Sequence, residues 1–321
     1  MQTYLLRRLL LIVPTLVLVS LIVFFSIRLI PGDVIDAMAG EVGGGSGMGA
    51  GDMTSEDLKR VLGLDVPVHI QYFRWIGQVF QGDLGLSLWT QRPISEDIAK
   101  RLPVSLELGI LAINTGLLIA LPVGVYSAIR QDTGLDYVGR TIAILFISVP
   151  SFWIGTMVMV YPSIWWGWTP PMEFNYLGEN PGKNLAQLII PALIMGMAMS
   201  GGTMRMTRTM MLEVLRQDYI RTAWSKGLNE RTVILRHALK NALIPVITII
   251  GLQTPVLIGG AVIIETIFNL PGVGRYMLEA VTRRDYPIIS GLNLVIAAFI
   301  LFINLVVDLT YAYLDPRVHY N

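Results

Sequence analysis

Long apolar runs, each near the length of a bilayer crossing, alternate with polar connections along this chain. A membrane core needs about 20 mostly apolar residues per helix. By that measure six spans are predicted: Leu9–Ile30, Ser105–Ile129, Val138–Tyr161, Leu185–Met204, Ala242–Phe268 and Ile288–Leu314. The fourth is punctuated by Pro191, Gly196, Gly201 and Gly202, residues that membrane helices tolerate better than soluble ones. Two connections carry helical periodicity of their own. In the first, Tyr72, Trp75, Ile76, Val79 and Phe80 recur at one-face spacing. The second, Met211–Asn241, has apolar positions at helical spacing (Leu212, Leu215, Tyr219, then Val233, Leu235, Leu239), broken at Lys226-Gly227. It reads as helix, glycine turn, helix.

Composition agrees with the spans: 53% of residues are hydrophobic and 15% charged, against about 25% charged in a soluble domain. The distribution of charge matters more than the net value of +1. With the N-terminus inside, internal segments hold Arg7, Arg8, Arg130, Arg140 and a dense group from Arg205 to Lys240, with Arg317 beyond. Residues 31–104 are instead rich in acids, among them Asp33, Asp36, Glu41, Asp52, Glu56, Asp57, Asp65 and Asp83. The positive-inside bias therefore predicts both termini in the cytoplasm, as an even span count requires. Arg7-Arg8 before an apolar run resembles a signal peptide. The run is about twice the roughly 7–15 residues of such a region, and Arg28, Pro31, Asp33 and Asp36 separate it from Ala37-Met38-Ala39. An uncleaved first helix is expected.

The chain has no cysteine, which excludes disulfides and thiol chemistry. Its three histidines (His69, His237, His319) lack ligand spacing, so no metal site is expected. In the external segment, Pro31-Gly32-Asp33 stops the first helix, Gly43–Gly51 reads as a flexible tract, and Thr54–Asp57 as a helix start. The Tyr72–Phe80 stripe has two readings: an amphipathic helix at the outer surface or capping the pathway, and the core of a small subdomain. Trp165, Trp166 and Trp168 read as an interfacial belt.

For the 211–241 hairpin, composition leaves two readings: a handle for a soluble partner, and an amphipathic loop resting on anionic lipid. A motif decides between them. Arg221-Thr222-Ala223, three residues, Gly227, nine residues and His237-Ala238-Leu239-Lys240 resemble the EAA loop of ABC importer permeases. The Glu, Ile and Pro of the general pattern are replaced here. That departure is similar to the peptide/nickel subfamily, whose version Asn241, Ala242 and Pro245 complete. Leu29–Asp33, Leu62–Asp65, Gly82–Gly85, Glu265–Phe268 with Pro271-Gly272 and Gly274-Arg275, and Arg284–Pro287 match, in order, the first of the two permeases of such systems.

The resemblance implies an all-α integral membrane protein of about six transmembrane helices with the type I ABC importer permease fold. It implies an N-terminal helix (1–30), an extracytoplasmic segment with an amphipathic helix (31–104), a five-helix core (105–314) and a cytoplasmic tail (315–321). Implied partners are a second permease subunit, two cytoplasmic ABC ATPases and an extracytoplasmic solute-binding protein in a bacterial or archaeal inner membrane, with no nucleic acid. ATP and Mg2+ would sit in the ATPases, no cofactor in this chain, and catalysis elsewhere. Tyr219, Arg221, Thr222, Ala223, Lys226, Gly227, His237 and Asn241 would form the ATPase-coupling loop. In that role Ala223 and Gly227 would let a short helix seat closely in an ATPase groove, and Arg221, Lys226 and Arg231 would meet acids there. The subfamily carries di- and oligopeptides, nickel and some sugars; peptide is the first expectation.

Helix breakers in the spans, such as Pro122, Gly124, Pro150, Gly155, Gly196, Pro245, Gly251 and Pro255, read as close-packing points or as hinges. Glu107, Glu265 and Arg28 are expected at interfaces, and Asp308 beside a cation. Asn114, Gln253, Thr254, Asn293 and Asn304 are the candidate pathway-lining residues. A secondary transporter would call for acids or histidines near mid-membrane and inverted repeats, and an intramembrane protease for a catalytic histidine in a span. Neither pattern is evident, and a channel would have no use for the hairpin.

Overall fold

The computed structural model describes residues 2–28, 65–169, 171 and 173–314, with backbone alone at 2–9, 256–258, 260, 308 and 311–314. The Gly43–Gly51 tract, the helix start at Thr54–Asp57, Leu29–Asp33, Leu62–Leu64, the tail and the side chains of Arg7, Arg8 and Asp308 lie outside the described residues. Contacts divide the chain into two compact units, one of residues 1–103 with 275–301, the other of 104–274 with 302–321.

In the first unit, helix α1 (Gln2–Arg28) meets α2 (Val68–Val79). The predicted stripe is this unit's core: Tyr72 and Trp75 are buried with Phe24, beside Leu21, Ile76, Val79 and Leu294. Phe24 stacks on Trp75 at 5.5 Å and meets Tyr72 edge-on at 5.2 Å. Tyr72 is buried with its hydroxyl satisfied, 2.9 Å from Ser20 Oγ. Phe80, at the end of the stripe, faces outward instead. Two sequence motifs meet in the same unit. The loop after Gly82–Gly85 turns back so that Ser87 Oγ donates to Asp285 Oδ2 at 2.6 Å and Leu88 N to Oδ1 at 3.3 Å. Trp89 Nε1 donates to the Arg283 carbonyl at 2.8 Å.

The second unit holds most of α3 (Ile94–Ile129), then α4 (Gly134–Ser148), α5 (Ser151–Trp166) and α6 (Pro181–Leu215). The predicted third span, Val138–Tyr161, is not one straight helix: α4 and α5 meet at 88°. Pro150 is the physical cause. It lacks an N–H and forces Val149 out of the helical region, to φ −90° and ψ 120°. Each half is about 22–24 Å long, short of the roughly 30 Å membrane core. Among the described residues five helices are long and apolar enough to cross a membrane, and six if the bent pair counts as one.

The fourth predicted span, with the most helix breakers, is the most buried of these helices. It runs unbroken through Pro191 from Pro181 to Leu215. Its small residues admit neighbouring backbones. A Cβ on Gly196 would lie 2.8 Å from the Ala112 carbonyl, and one on Gly201 2.5 Å from that of Ala143. At these positions the close-packing reading holds; at Pro150 the break is real. The core beside them joins Val104, Leu108, Leu188, Met195, Ile264 and Phe268.

After α6 come α7 (Asp218–Ser225), a turn, and a continuous helical path: Glu230–Thr232, a π-helical stretch Val233–Leu239, and α8 (Lys240–Ile267). Helices α9 (Val273–Arg283) and α10 (Tyr286–Leu314) end the described chain. At the far end of α8, Glu265 is fully buried in the protein. Its carboxylate accepts from Ser105 Oγ, whose oxygen takes the Val273 N–H at 2.9 Å, and a side chain on Gly272 would collide with it. Glu107 accepts from Asn184 Nδ2 at 3.1 Å, and Arg28 extends to Gln71 Oε1 at 2.9 Å.

Candidate functional site: a helical hairpin

The segment predicted as helix, glycine turn, helix is built that way, with one shift. Leu212 and Leu215 belong to α6, and the hairpin proper begins after the break at Arg216-Gln217. Gln217, extended at ψ 148°, starts α7. Lys226 ends it, and Gly227 takes φ +73°, a conformation in which a β-carbon costs about 1–2 kcal/mol. The turn closes with Gly227 N to Trp224 O at 2.9 Å and Leu228 N to Ala223 O at 3.4 Å. Asn229 then caps the returning helix, its Oδ1 accepting from Thr232 N at 2.8 Å.

The hairpin has two unlike faces. Inward, Ile220, Ala223, Val233, Ile234 and Ala238 pack with Met211, Ala128 and Ala242. Ala223 is only 6% exposed, so its small size lets α7 close on its own bundle rather than seat in a partner's groove. Outward stand Arg221, Thr222, Lys226 and Gly227, joined by three large side chains: Tyr219 at 43%, Trp224 at 45% and Leu235 at 49% exposure. Space around Gly227 is open, so its role here is the turn and not close packing. Asn241 Nδ2 ties the two arms, donating to Tyr219 Oη at 2.8 Å and to the His237 carbonyl at 3.1 Å. His237 lies half-buried in the π-helical stretch. Arg221 leans on Asp218 at 3.7 Å, both highly exposed, and Arg130 approaches Glu230 at 3.6 Å. Such pairs contribute about 0–1 kcal/mol, which leaves the outer surface available for other charges.

Sequence reasoning missed two features. Trp224 was not singled out, although its place beside the inward Ala223 puts it on the outer side of α7. The other is a buried charge cluster beside the hairpin's base. Asp136, fully buried, accepts from Arg208 Nε and Nη2 at 2.8 Å each and from Arg140 Nη2 at 2.8 Å. Only its three-dimensional setting distinguishes it from the other loop acids.

The candidate pathway residues fall in both units. Asn114 is exposed on α3 and bonds back to the Ile110 carbonyl at 2.8 Å. Gln253 Nε2 lies beside Gly202 of α6, and Thr254 donates to Ile250 O at 3.1 Å. Asn304 is half-buried in α10. Asn293 belongs to the first unit, half-buried and bonded to Ile289 O at 2.9 Å.

Residues 120–320 match the family described as "Binding-protein-dependent transport system inner membrane component", and residues 1–109 match the description of its N-terminal membrane component. The chain belongs to this family. The permease is 38% identical over 343 aligned positions to the dipeptide transport system permease protein DppB of Escherichia coli K12, covering 100% of this chain and 99% of that one. It is 39% identical over 340 positions to DppB of Alkalihalophilus pseudofirmus, covering 100% of each. In fold it is similar to a solved inward-facing structure of the MetNI methionine ABC transporter, with a TM-score of 0.53 at 14% identity, over 68% of this chain and 96% of that one. The permease is therefore the transmembrane subunit of an ABC importer, a multi-pass inner-membrane protein of a family that works with ATPase and solute-binding-protein partners.

Proposed function

We propose that this permease carries di- and oligopeptides as the first of two unlike permease subunits, driven by two ATPases that grip its hairpin from the cytosol. The observation that carries the peptide reading is end-to-end identity of 38–39% with dipeptide permeases. The driving reading rests on the hairpin. A two-armed element packed inward through Ile220, Ala223 and Val233 moves with its bundle, while Tyr219, Trp224 and Leu235 leave apolar surface for a partner. Arginines and lysines gathered in and around it support a cytosolic placement and both termini inside.

In this reading ATP and Mg2+ are held by the ATPases, and closure of the nucleotide sandwich draws the hairpins of the two permeases together. The spans then switch between inward- and outward-facing states, provided ATP and solute bind those states unequally. Reconstituting both permeases, the ATPases and the solute-binding protein in liposomes tests the proposal. The expected result is ATP-dependent accumulation of a labelled dipeptide. Uptake of nickel or an oligosaccharide in its place, or dipeptide uptake by this chain with no nucleotide, would overturn it.

A further inference from the structure

The first unit contains a cavity of about 490 Å³. That volume falls in the usual range for small-molecule sites, about 300–1,000 Å³. Its wall combines two guanidiniums, Arg28 and Arg74, with one carboxylate, Asp83, beside the aromatic rings of Trp75 and Tyr286. Arg28 is half-buried; its guanidinium lies 3.5 Å from the Phe24 ring centre and donates to Phe24 O and Gln71 Oε1. Among the described residues neither arginine is paired with a carboxylate. Trp75 adds an independent sign: it is 7% exposed, and its indole N–H has no acceptor. A buried donor left unsatisfied costs about 1–3 kcal/mol.

The lining therefore offers donors and positive charge with a single negative group, Asp83, whose Oδ1 is fixed by the Gly85 N–H at 2.8 Å. An anion alone would leave Asp83 as a repulsive neighbour. A molecule carrying both charges uses all three ionised groups. We propose that this cavity binds a small zwitterion, its carboxylate on Arg28 and Arg74 and its ammonium on Asp83, and so holds a short peptide on the outer side of the permease. The peptide identity and the outer placement rest on the proposed function; the zwitterion chemistry rests on the cavity itself.

The test uses the assembled importer in nanodiscs, without its solute-binding protein, and measures equilibrium binding of L-alanyl-L-alanine, its C-terminal amide, its N-acetyl derivative and inorganic phosphate. The free dipeptide is expected to bind saturably, with the amide and the N-acetyl form each about tenfold weaker, the loss of one charge-assisted contact. Arg74→Gln, at an exposed position, should weaken the dipeptide about tenfold. Asp83→Asn should weaken the dipeptide and leave the N-acetyl form unchanged. Absence of saturable binding, wild-type affinity in both variants, or phosphate or the N-acetyl form binding as tightly as the dipeptide would each overturn the site. ATP-driven uptake with the binding protein present separates the two ideas. Dipeptide uptake without cavity binding defeats the site alone, and cavity binding without dipeptide uptake defeats the transport reading alone.

Discussion

Two connections of the second unit lie side by side and handle charge in opposite ways. At the short one, between α3 and α4, Asp136 in the first turn of α4 is sealed from solvent and shared by Arg140 and Arg208. In the long one, from Arg216 to Asn241, charged side chains and the Tyr219–Asn241 bond stand in the open, and the inward face is apolar. The first spends its charge on holding its own helices together. The second has ordered its backbone with caps, a glycine turn and a packed inner face while leaving its outer side uncommitted. Polar satisfaction within the chain marks structure; order without such satisfaction marks a surface meant for something else.

The contrast can be broken at its strongest point first. Asp136→Ala leaves two arginines facing each other around a vacated site and should cost about 3–5 kcal/mol. A markedly lower thermal midpoint of the detergent-solubilised importer would register it, and Arg208→Met in the same chain should restore part of the loss. Ala223→Leu overfills the hairpin's inner face, for about 1–3 kcal/mol. Limited proteolysis should then cut between Arg216 and Thr232 faster than in wild type. Gly227→Val strains the turn by about 1–2 kcal/mol. Solute-stimulated ATP hydrolysis should vanish while membrane abundance stays normal, and retained stimulation would argue against a coupling role. Smallest is Arg221→Ala, below about 1 kcal/mol in stability. Its effect is expected only in ATPase coupling, read from the same hydrolysis assay.

Much of this was legible in the sequence because membrane helices and turns announce themselves locally. Twenty apolar residues need no tertiary context to be recognised, and Gly227 was identifiable from its spacing and neighbours. The elbow at Pro150 was hidden because hydropathy runs straight through it; proline's effect depends on whether neighbouring helices hold the freed carbonyls, which no window along the chain records. In α6 the same ambiguity resolved the other way, with Pro191 carried inside an unbroken helix. Ala223 misled for a related reason. A small residue says that something comes close, not from which side. Asp136 was invisible since its partner Arg208 is distant in sequence, and the cavity around Arg74 and Asp83 gathers residues from three separate stretches.

From Glu230 to Ile267 the backbone never leaves helical winding, even where it widens at Val233–Leu239. Loops dissipate displacement; a rod does not. Part-way along, this rod is clasped by Tyr219 through Asn241, and its far end is moored where Ser105 and the Gly272 turn enclose Glu265. A twist delivered near Asn229 therefore has no loop in which to die out before it reaches that mooring, although Pro245 and Pro255 lie inside α8 on the way.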